Sequence, residues 1–180
     1  TPTETPTETP TATPTETPAP RPAGPDRIAV IGMSGRYPDA PDLDTFWQRL
    51  SAGHDAVREI PASRWDPAPY YDPRPNQPGK INCKWLGALQ DVECFDPLFF
   101  SISPAEAELM DPQQRLFLQE SYRAFEDAGY NPRALGNSRC GVYLGIMNND
   151  YGSLLQAHSH AADSTGNSAA IAASRISYLL

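Results

Sequence analysis

The stretch RIAVIG, residues 27–32, indicates the fold class of this chain. Four apolar residues in a row, followed by a glycine, predict a strand that is buried on both faces. The stretch CGVYLGI, residues 140–146, predicts a second buried strand in the same way. Because helices are predicted between the two strands, their order favours a layered α/β fold around a mainly parallel sheet.

Two sequence patterns mark the starts of the helices between these strands. SPAE at 103–106 has the form of a capping box with proline at the first helical position, and DPQQ at 111–114 repeats that form. The second helix is predicted to run to about Asp127, with Gly129 as its stop. Its apolar face recurs at helical spacing through Phe117, Ser121, Ala124, Phe125 and Ala128.

Three further segments flank this central part. A short helix over 45–50 is predicted with Asp44 as its cap, and a last helix over 169–178 with Asn167 as its cap. Residues 61–79 carry six prolines and predict a long ordered loop, pinned to the body by aromatic side chains. The alanine-rich start of the last helix permits close helix approach, either at a subunit interface or in plain core packing.

The charge balance of the chain excludes some classes of binding partner. The chain has 22 acidic and 14 basic residues, which gives a net charge of −8. This balance argues against nucleic-acid binding and against a polybasic hold on anionic lipid, since both need clustered lysine and arginine. No run approaches the roughly 18 apolar residues that a membrane span needs, and no signal-peptide pattern is present.

The first 25 residues differ in composition from the rest. They hold eight prolines, nine threonines and three glutamates in the near-repeat TPTETPTETPTATPTETPAP. Nothing in them could seed a core, so we predict a disordered linker of polyproline type at 1–25 and a folded domain at 26–180. The alternative is a recognition motif for a proline-binding module. The threonine start and the apolar Leu179-Leu180 end suggest a piece cut from a longer protein, truncated inside its fold.

The potential chemical groups do not assemble into a site. Cys83, Cys94 and Cys140 have no C-x-x-C spacing, so we expect neither a disulfide framework nor a zinc site, and each is predicted to be a small buried residue. With no export signal, the cysteines suggest a reducing, cytoplasmic setting. His158 and His160 are two apart and fit a solvated loop better than a metal site. GMSGR at 32–36 matches neither a nucleophile elbow nor a dinucleotide fingerprint.

Several ordered motifs nevertheless resemble one family. Together they resemble the opening of the β-ketoacyl synthase (ketosynthase) domain of modular type I polyketide synthases, and the resemblance spans 27–180. The motifs are RIAVIGMSGRYP at 27–38, FDPLFFSISP at 95–104, MDPQQR at 110–115, EDAGY at 126–130 and CGVYLG at 140–145.

The resemblance implies a fold and a reaction. The fold would be the incomplete N-terminal portion of a thiolase-like αβαβα sandwich, which is normally a homodimer. The reaction would be a decarboxylative Claisen condensation of an acyl chain with a malonyl-type extender. No cofactor would be bound directly, and the phosphopantetheine arm of an acyl carrier protein would carry the substrates.

The resemblance also bears on individual residues. The family's catalytic cysteine lies in a Thr-Ala-Cys-Ser-Ser-type run after the region of Ser177 and Tyr178, and its two histidines lie further on, so no catalytic residue and no metal ligand is assigned here. Two segments would approach the acyl channel. They are Met147, Asn148 and Asn149 after the second strand, and Ser164, Thr165, Gly166 and Asn167 before the last helix. The alternative makes Asn148 and Asn149 turn residues and Asn167 only a cap.

Two functional classes stay open. The first is the front of an elongating ketosynthase, inactive alone. The second is a non-elongating relative that only binds or transfers acyl chains. Residues 142–151 and 102–104 further resemble synthases whose acyltransferase acts in trans, which would add a separate acyltransferase as a partner.

Overall fold

The computed structural model describes residues 28–136, 138–157 and 164–179. The predicted linker at 1–25 lies outside the described residues, and so do His158 and His160.

Helices make up most of the regular secondary structure among the described residues. The only sheet among these residues is an antiparallel pair, in which Arg58 lies opposite Leu86 and Glu59 opposite Trp85. In chain order the elements are α1 (Leu43–Ser51), β1 (Arg58–Glu59), a 3₁₀ helix (Ala68–Tyr70), β2 (Trp85–Leu86), α2 (Pro104–Leu109), α3 (Pro112–Asp127), a second 3₁₀ helix (Pro132–Leu135), α4 (Tyr151–Ala157), α5 (Ser164–Asn167) and α6 (Ala169–Leu179).

The predicted caps of the two central helices are confirmed, but the last residue of each predicted capping box binds elsewhere, Glu106 to Arg175 and Gln114 to the Ser168 carbonyl. Ser103 Oγ accepts a hydrogen bond from the Glu106 amide at 3.1 Å and caps α2. Asp111 Oδ1 accepts from the Gln113 amide at 2.8 Å and caps α3. The predicted stop is also present, since α3 ends at Asp127 and Gly129 follows in the left-handed region.

Two other predicted caps are wrong. The cap of α1 is Asp42, whose side chain accepts from the Thr45 amide at 2.7 Å. Asp44 instead lies inside the first turn, where its negative charge still favours the positive end of the helix. Asn167 is the last residue of α5, and α6 begins at Ala169, so Ser168 and not Asn167 occupies the cap position of α6.

The two stretches predicted to be buried strands are not strands in this structure. Neither 28–31 nor 140–146 is assigned to a strand, and Ile28, Val30 and Tyr143 are 95%, 78% and 93% exposed. A strand exists only through hydrogen bonds to a neighbouring strand. Among the described residues neither stretch has such a neighbour, so its apolar side chains have no sheet in which to be buried.

The long loop at 61–79 has little regular structure, as predicted, but Trp65 and Tyr70 are exposed and contact each other within the loop instead of anchoring it to the body. The rings of Trp65 and Tyr70 lie 5.6 Å apart, and Tyr71 forms a bridge with Ile81 that closes the loop. A single 3₁₀ turn, Ala68–Tyr70, interrupts it.

The core lies where α2, α3 and α6 meet. Met110 is fully buried and Leu118 and Ile176 are nearly so. An aromatic cluster extends this core, with Phe95 stacked on Phe100 at 5.3 Å between ring centroids. The face predicted for α3 is only half-buried, because its most buried side chains are Gln114 and Leu118 on an adjacent face.

The remaining side of α3 supports the first described segment of the chain. Gly32 lies so close to α3 that a Cβ atom there would be 2.3 Å from the Ala124 carbonyl oxygen. The next amide, that of Met33, donates to Asp127 Oδ2 at 2.8 Å, and the Ser34 hydroxyl donates to Glu120. Helix α3 is therefore packed on two sides, which explains why the single predicted face is incomplete.

Leu118→Ala tests the position of the core. Leu118 is 1% exposed, so we expect the free energy of unfolding to fall by about 2–5 kcal/mol in urea titrations of the full-length protein, because a cavity replaces the side chain. Leu118→Met is the control and should cost below about 1.5 kcal/mol. A loss below about 1 kcal/mol for the alanine variant would place the core elsewhere.

Candidate functional site

The two predicted site segments meet at the break between α2 and α3. We call residues 109–114 the α2–α3 junction. Gln113 Nε2 donates to the Asn148 carbonyl at 2.7 Å. The Asp111 amide donates to the Gly166 carbonyl at 3.0 Å. One short element therefore holds a residue from each of two segments that are separated in the sequence.

Further hydrogen bonds tie the same parts together. The Asn167 side-chain amide donates to the Leu109 carbonyl at 2.9 Å, and Gln114 Nε2 donates to the Ser168 carbonyl at 3.1 Å. The side-chain amide of Asn149 donates to the Asn167 carbonyl, which joins the two segments directly. The network consists mostly of side-chain amides bound to backbone carbonyls, so it fixes the course of the backbone.

Close packing accompanies this network. Gly166 is buried, and a Cβ atom there would lie 3.1 Å from the Leu109 carbonyl oxygen and 3.2 Å from Met110 Cα. Asp111 is 5% exposed and accepts from Gln113, and Gln114 is 3% exposed and donates through Nε2 to Ser168, whereas Gln114 Oε1 is buried without a hydrogen-bond partner. The junction is therefore the most polar part of an otherwise apolar core.

The predicted site residues differ in their surroundings. Met147 is 91% exposed, and Asn148 and Asn149 are exposed, whereas Gly166 is buried. The backbone of Ser164 and Thr165 forms the first part of α5, so the second segment is itself a short helix. Asn148 accepts from Gln113 through its backbone carbonyl, whereas Asn149 donates through its side chain to the Asn167 carbonyl, so the alternative that makes both asparagines turn residues stays open.

Sequence reasoning missed the residues that join the segments. Asp111, Gln113 and Gln114 are predicted only as a helix start. The signal that could have identified them is the pair of glutamines two and three residues after the cap, because one cap needs only one side-chain acceptor. Two extra amide side chains at a helix start are therefore free to bind other parts of the chain.

A cleft of about 760 Å³ lies beside the junction. It is bounded by the loop at 88–93, by the ends of α2 and α3, and by α4. Arg115 and Tyr151 face each other in its wall, with the guanidinium 5.9 Å from the ring centroid. None of the predicted site residues lines this cleft, so the cleft and the predicted acyl-channel segments are separate features.

The predicted burial of the three cysteines is wrong. Cys83, Cys94 and Cys140 are all exposed free thiols, whereas the sequence predicts buried side chains. All three lie outside the helices and strands. Within the part of the chain that the structure describes, no group of three metal-ligating side chains lies close enough to hold a metal ion.

A charged cluster lies around Asp39. His54 Nε2 is 2.9 Å from Asp39 Oδ2, and Arg58 Nη2 donates to the same oxygen at 2.9 Å. The hydrogen bond with His54 and, after it, the positive charge of Arg58 lower the pKa of the Asp39 carboxyl. The cluster ties the turn at 37–40 to the chain that follows α1, which is a structural role.

Comparison with known proteins identifies the family. The model of the β-ketoacyl synthase N-terminal domain matches residues 25–180, so the chain belongs to the β-ketoacyl synthase family. It is 59% identical over 155 residues to polyketide synthase PksL of Bacillus subtilis (strain 168). It is 49% identical over 158 residues to polyketide synthase ThaG of Burkholderia thailandensis. Each match covers 86% of this chain, which spans only 3% of the length of either relative.

Solved structures give the same result for the fold. An oxazolomycin ketosynthase domain from Streptomyces albus JA3453 matches with a TM-score of 0.76 and 45% identity, over 83% of this chain and 26% of that one. The ketosynthase from module 6 of the bacillaene synthase of Bacillus subtilis 168 matches with a TM-score of 0.73 and 55% identity, over 86% of this chain and 24% of that one. The predicted fold class, part of a thiolase-like α/β ketosynthase, is confirmed.

Among the described residues, no helix is both long enough and apolar enough to cross a bilayer.

Gly166→Ala tests the packing of α5 on the junction. The added methyl group would meet backbone atoms that cannot turn away, so we expect a loss of about 1–3 kcal/mol in the free energy of unfolding and faster hydrogen exchange at the Asp111 amide. Gly152→Ala is the matched control, because its Cβ would lie 3.9 Å from Asn167 in ordinary contact. Equal stability of the two variants would contradict the packing described.

Asp39→Asn tests the charged cluster through pH. Asp39 has a lowered pKa in the folded protein, so its stabilising contribution is present above the unfolded pKa of about 4 and is lost as pH falls through the folded value. Asparagine tolerates the left-handed backbone at this position, where φ is 58°. Urea unfolding should show the variant less stable than the wild type near neutral pH, with the gap closing below about pH 4. A stability difference between the two proteins that does not change with pH would show that the charge of Asp39 does not stabilise the fold.

Proposed function

We propose that residues 26–180 are the N-terminal part of a polyketide synthase ketosynthase that catalyses decarboxylative condensation. Residues 1–25 would be the linker that precedes it. The observation that carries the proposal is the convergence of two segments, 147–149 and 164–167, on the α2–α3 junction of a chain that belongs to the β-ketoacyl synthase family. These are the segments that the family resemblance assigns to the acyl channel.

The proposed reaction has two stages. A cysteine thiolate attacks the carrier-bound acyl thioester, forms a new thioester and releases the carrier thiol. A carrier-bound malonyl-type extender then loses carbon dioxide, and the resulting enolate attacks the acyl-cysteine and releases the thiolate. The protein is thus a condensing transferase, for which the word acyltransferase is too general. Donors aimed at the developing oxyanion lower both barriers.

The residues that do this chemistry are proposed to lie outside residues 1–180. Cys83, Cys94 and Cys140 are exposed, and His54 is engaged with Asp39. None of them matches the family's Thr-Ala-Cys-Ser-Ser-type run. The part of the ketosynthase present here would therefore contribute the wall of the acyl channel and no catalytic group.

The partners follow from the same proposal. The substrates would arrive on the phosphopantetheine arm of an acyl carrier protein, and the complete ketosynthase would act as a homodimer in the cytoplasm. We further propose that its extender units are loaded by a separate, trans-acting acyltransferase, as the likeness of 142–151 to such synthases suggests. Loading of the module's carrier that occurs without any added acyltransferase would contradict this last point.

A non-elongating ketosynthase-like domain, which only binds or transfers acyl chains, is the second candidate. The membership of the β-ketoacyl synthase family and the polyketide synthase relatives support condensation, and the second candidate is an outcome that the test can return. The full-length synthase, given an acyl thioester and a malonyl-loaded carrier, should release carbon dioxide and form a β-ketoacyl product. Acyl uptake with no carbon dioxide release would support the second candidate.

Serine substitution of all three cysteines tests the proposed location of the nucleophile. In the full-length synthase, the variant with Cys83→Ser, Cys94→Ser and Cys140→Ser should take up an acyl group at the wild-type rate, since these thiols are not the nucleophile. Intact-protein mass spectrometry measures the uptake. Loss of acylation in a variant that unfolds like the wild type would place the reactive thiol among these three residues and refute the proposal.

A further inference from the structure

We propose that Gln113 is a positioning residue that determines which acyl groups the ketosynthase accepts, by fixing the backbone at Asn148. This inference rests on the proposed function, because it assumes that residues 147–149 border the acyl channel. The cap of α3 does not use the side chain of Gln113, so the proposed role is additional to capping.

The position of residues 147–149 depends on long-range contacts. The segment belongs to no helix or strand, so no ladder or helical hydrogen bonds hold it in place. Gln113 Nε2 donates to the Asn148 carbonyl at 2.7 Å, and the Asn149 side chain donates to the Asn167 carbonyl. These two hydrogen bonds set where the exposed side chain of Met147 lies relative to α3 and α5.

Gln113 is itself held on a rigid support. Its Nε2 also lies 3.3 Å from each carboxylate oxygen of Asp111, so one amide hydrogen can face Asp111 and the other Asn148. The helix that carries it is anchored in the core through Met110 and Leu118, which are 0% and 1% exposed. A displacement caused by losing the hydrogen bond would therefore occur in the 147–149 segment and not in α3.

The side chain of Gln113 can be changed without removing the cap. The cap of α3 uses the backbone amide of Gln113, which donates to Asp111 Oδ1 at 2.8 Å. Gln113→Met keeps this amide and a side chain of similar shape, and it removes the Nε2 donor to both the Asn148 carbonyl and the Asp111 carboxylate. Gln113→Lys changes the shape and keeps a donor. The pair separates hydrogen bonding from packing.

A matched control lies on the same helix. Gln119 Nε2 donates to the Cys94 carbonyl at 3.3 Å, and this hydrogen bond touches neither predicted site segment. Gln119→Met thus removes the same kind of side-chain-to-backbone hydrogen bond from α3 at a place where acyl preference should not respond.

The experiment measures acyl preference in the full-length synthase. Acyl-pantetheine thioesters with small and bulky acyl groups are offered separately, and kcat/KM for acylation is obtained by mass spectrometry. Gln113→Met should change the ratio between the two groups about tenfold, with the rate of thiol alkylation by iodoacetamide within about twofold of the wild type. Gln113→Lys and Gln119→Met should both keep the wild-type ratio of the two kcat/KM values.

The contradicting outcomes are distinct. One such outcome is that Gln113→Met lowers kcat/KM by the same factor for all acyl groups, and another is that it leaves the ratio unchanged. In either case Gln113 has a structural role only, and the inference fails while the proposed function stands. The inference fails in the same way if Gln119→Met shifts the ratio as much as Gln113→Met does. If the wild-type synthase takes up no acyl group from any thioester, the proposed function itself fails.

Discussion

The interruption of the helix at Asp111 is the constraint on which the rest of the described structure depends. Proline at 112 cannot donate a backbone hydrogen bond, so α2 and α3 cannot run on as one helix, and Asp111 must cap the second one. The break frees backbone groups that a continuous helix would have used. The Asp111 amide and the Leu109 carbonyl bind Gly166 and Asn167 instead.

This arrangement explains how an exposed segment and a buried one come to share one support. The apolar core holds α3 in place through Leu118, and the polar groups at its start then fix the chain at Asn148 and Gly166. These hydrogen bonds between side-chain amides and backbone carbonyls favour one arrangement of the backbone, although Gln114 Oε1 is buried without a partner. In a condensing enzyme, such a support would keep the acyl channel's width constant.

The sequence predicts local features well where one residue determines them. Ser103, Asp111 and Gly129 lie at helix ends as expected, because each acts on the backbone a few residues away. The predicted strands at 28–31 and 140–146 differ, since a strand depends on a partner that its own sequence does not specify. The exposed cysteines differ for a related reason, because burial depends on the surrounding chain and not on the residue type alone.

The candidate site was only half predictable. The family resemblance picked out both segments, but the glutamines that join them to the α2–α3 junction were not identifiable from periodicity, because their partners lie 35 and 54 residues away. The resemblance does not predict the cleft beside the loop at 88–93. This cleft is the alternative location for a bound acyl chain.

Photo-crosslinking of the acyl chain tests the central claim most directly. A pantetheine thioester whose acyl chain ends in a diazirine would be loaded on the full-length synthase, irradiated and mapped by peptide mass spectrometry. Cross-links at 147–149 or 164–167 are the expected result. Cross-links confined to the cleft wall, at 88–93 and Tyr151, would show that the acyl chain does not lie against the segments held by the α2–α3 junction.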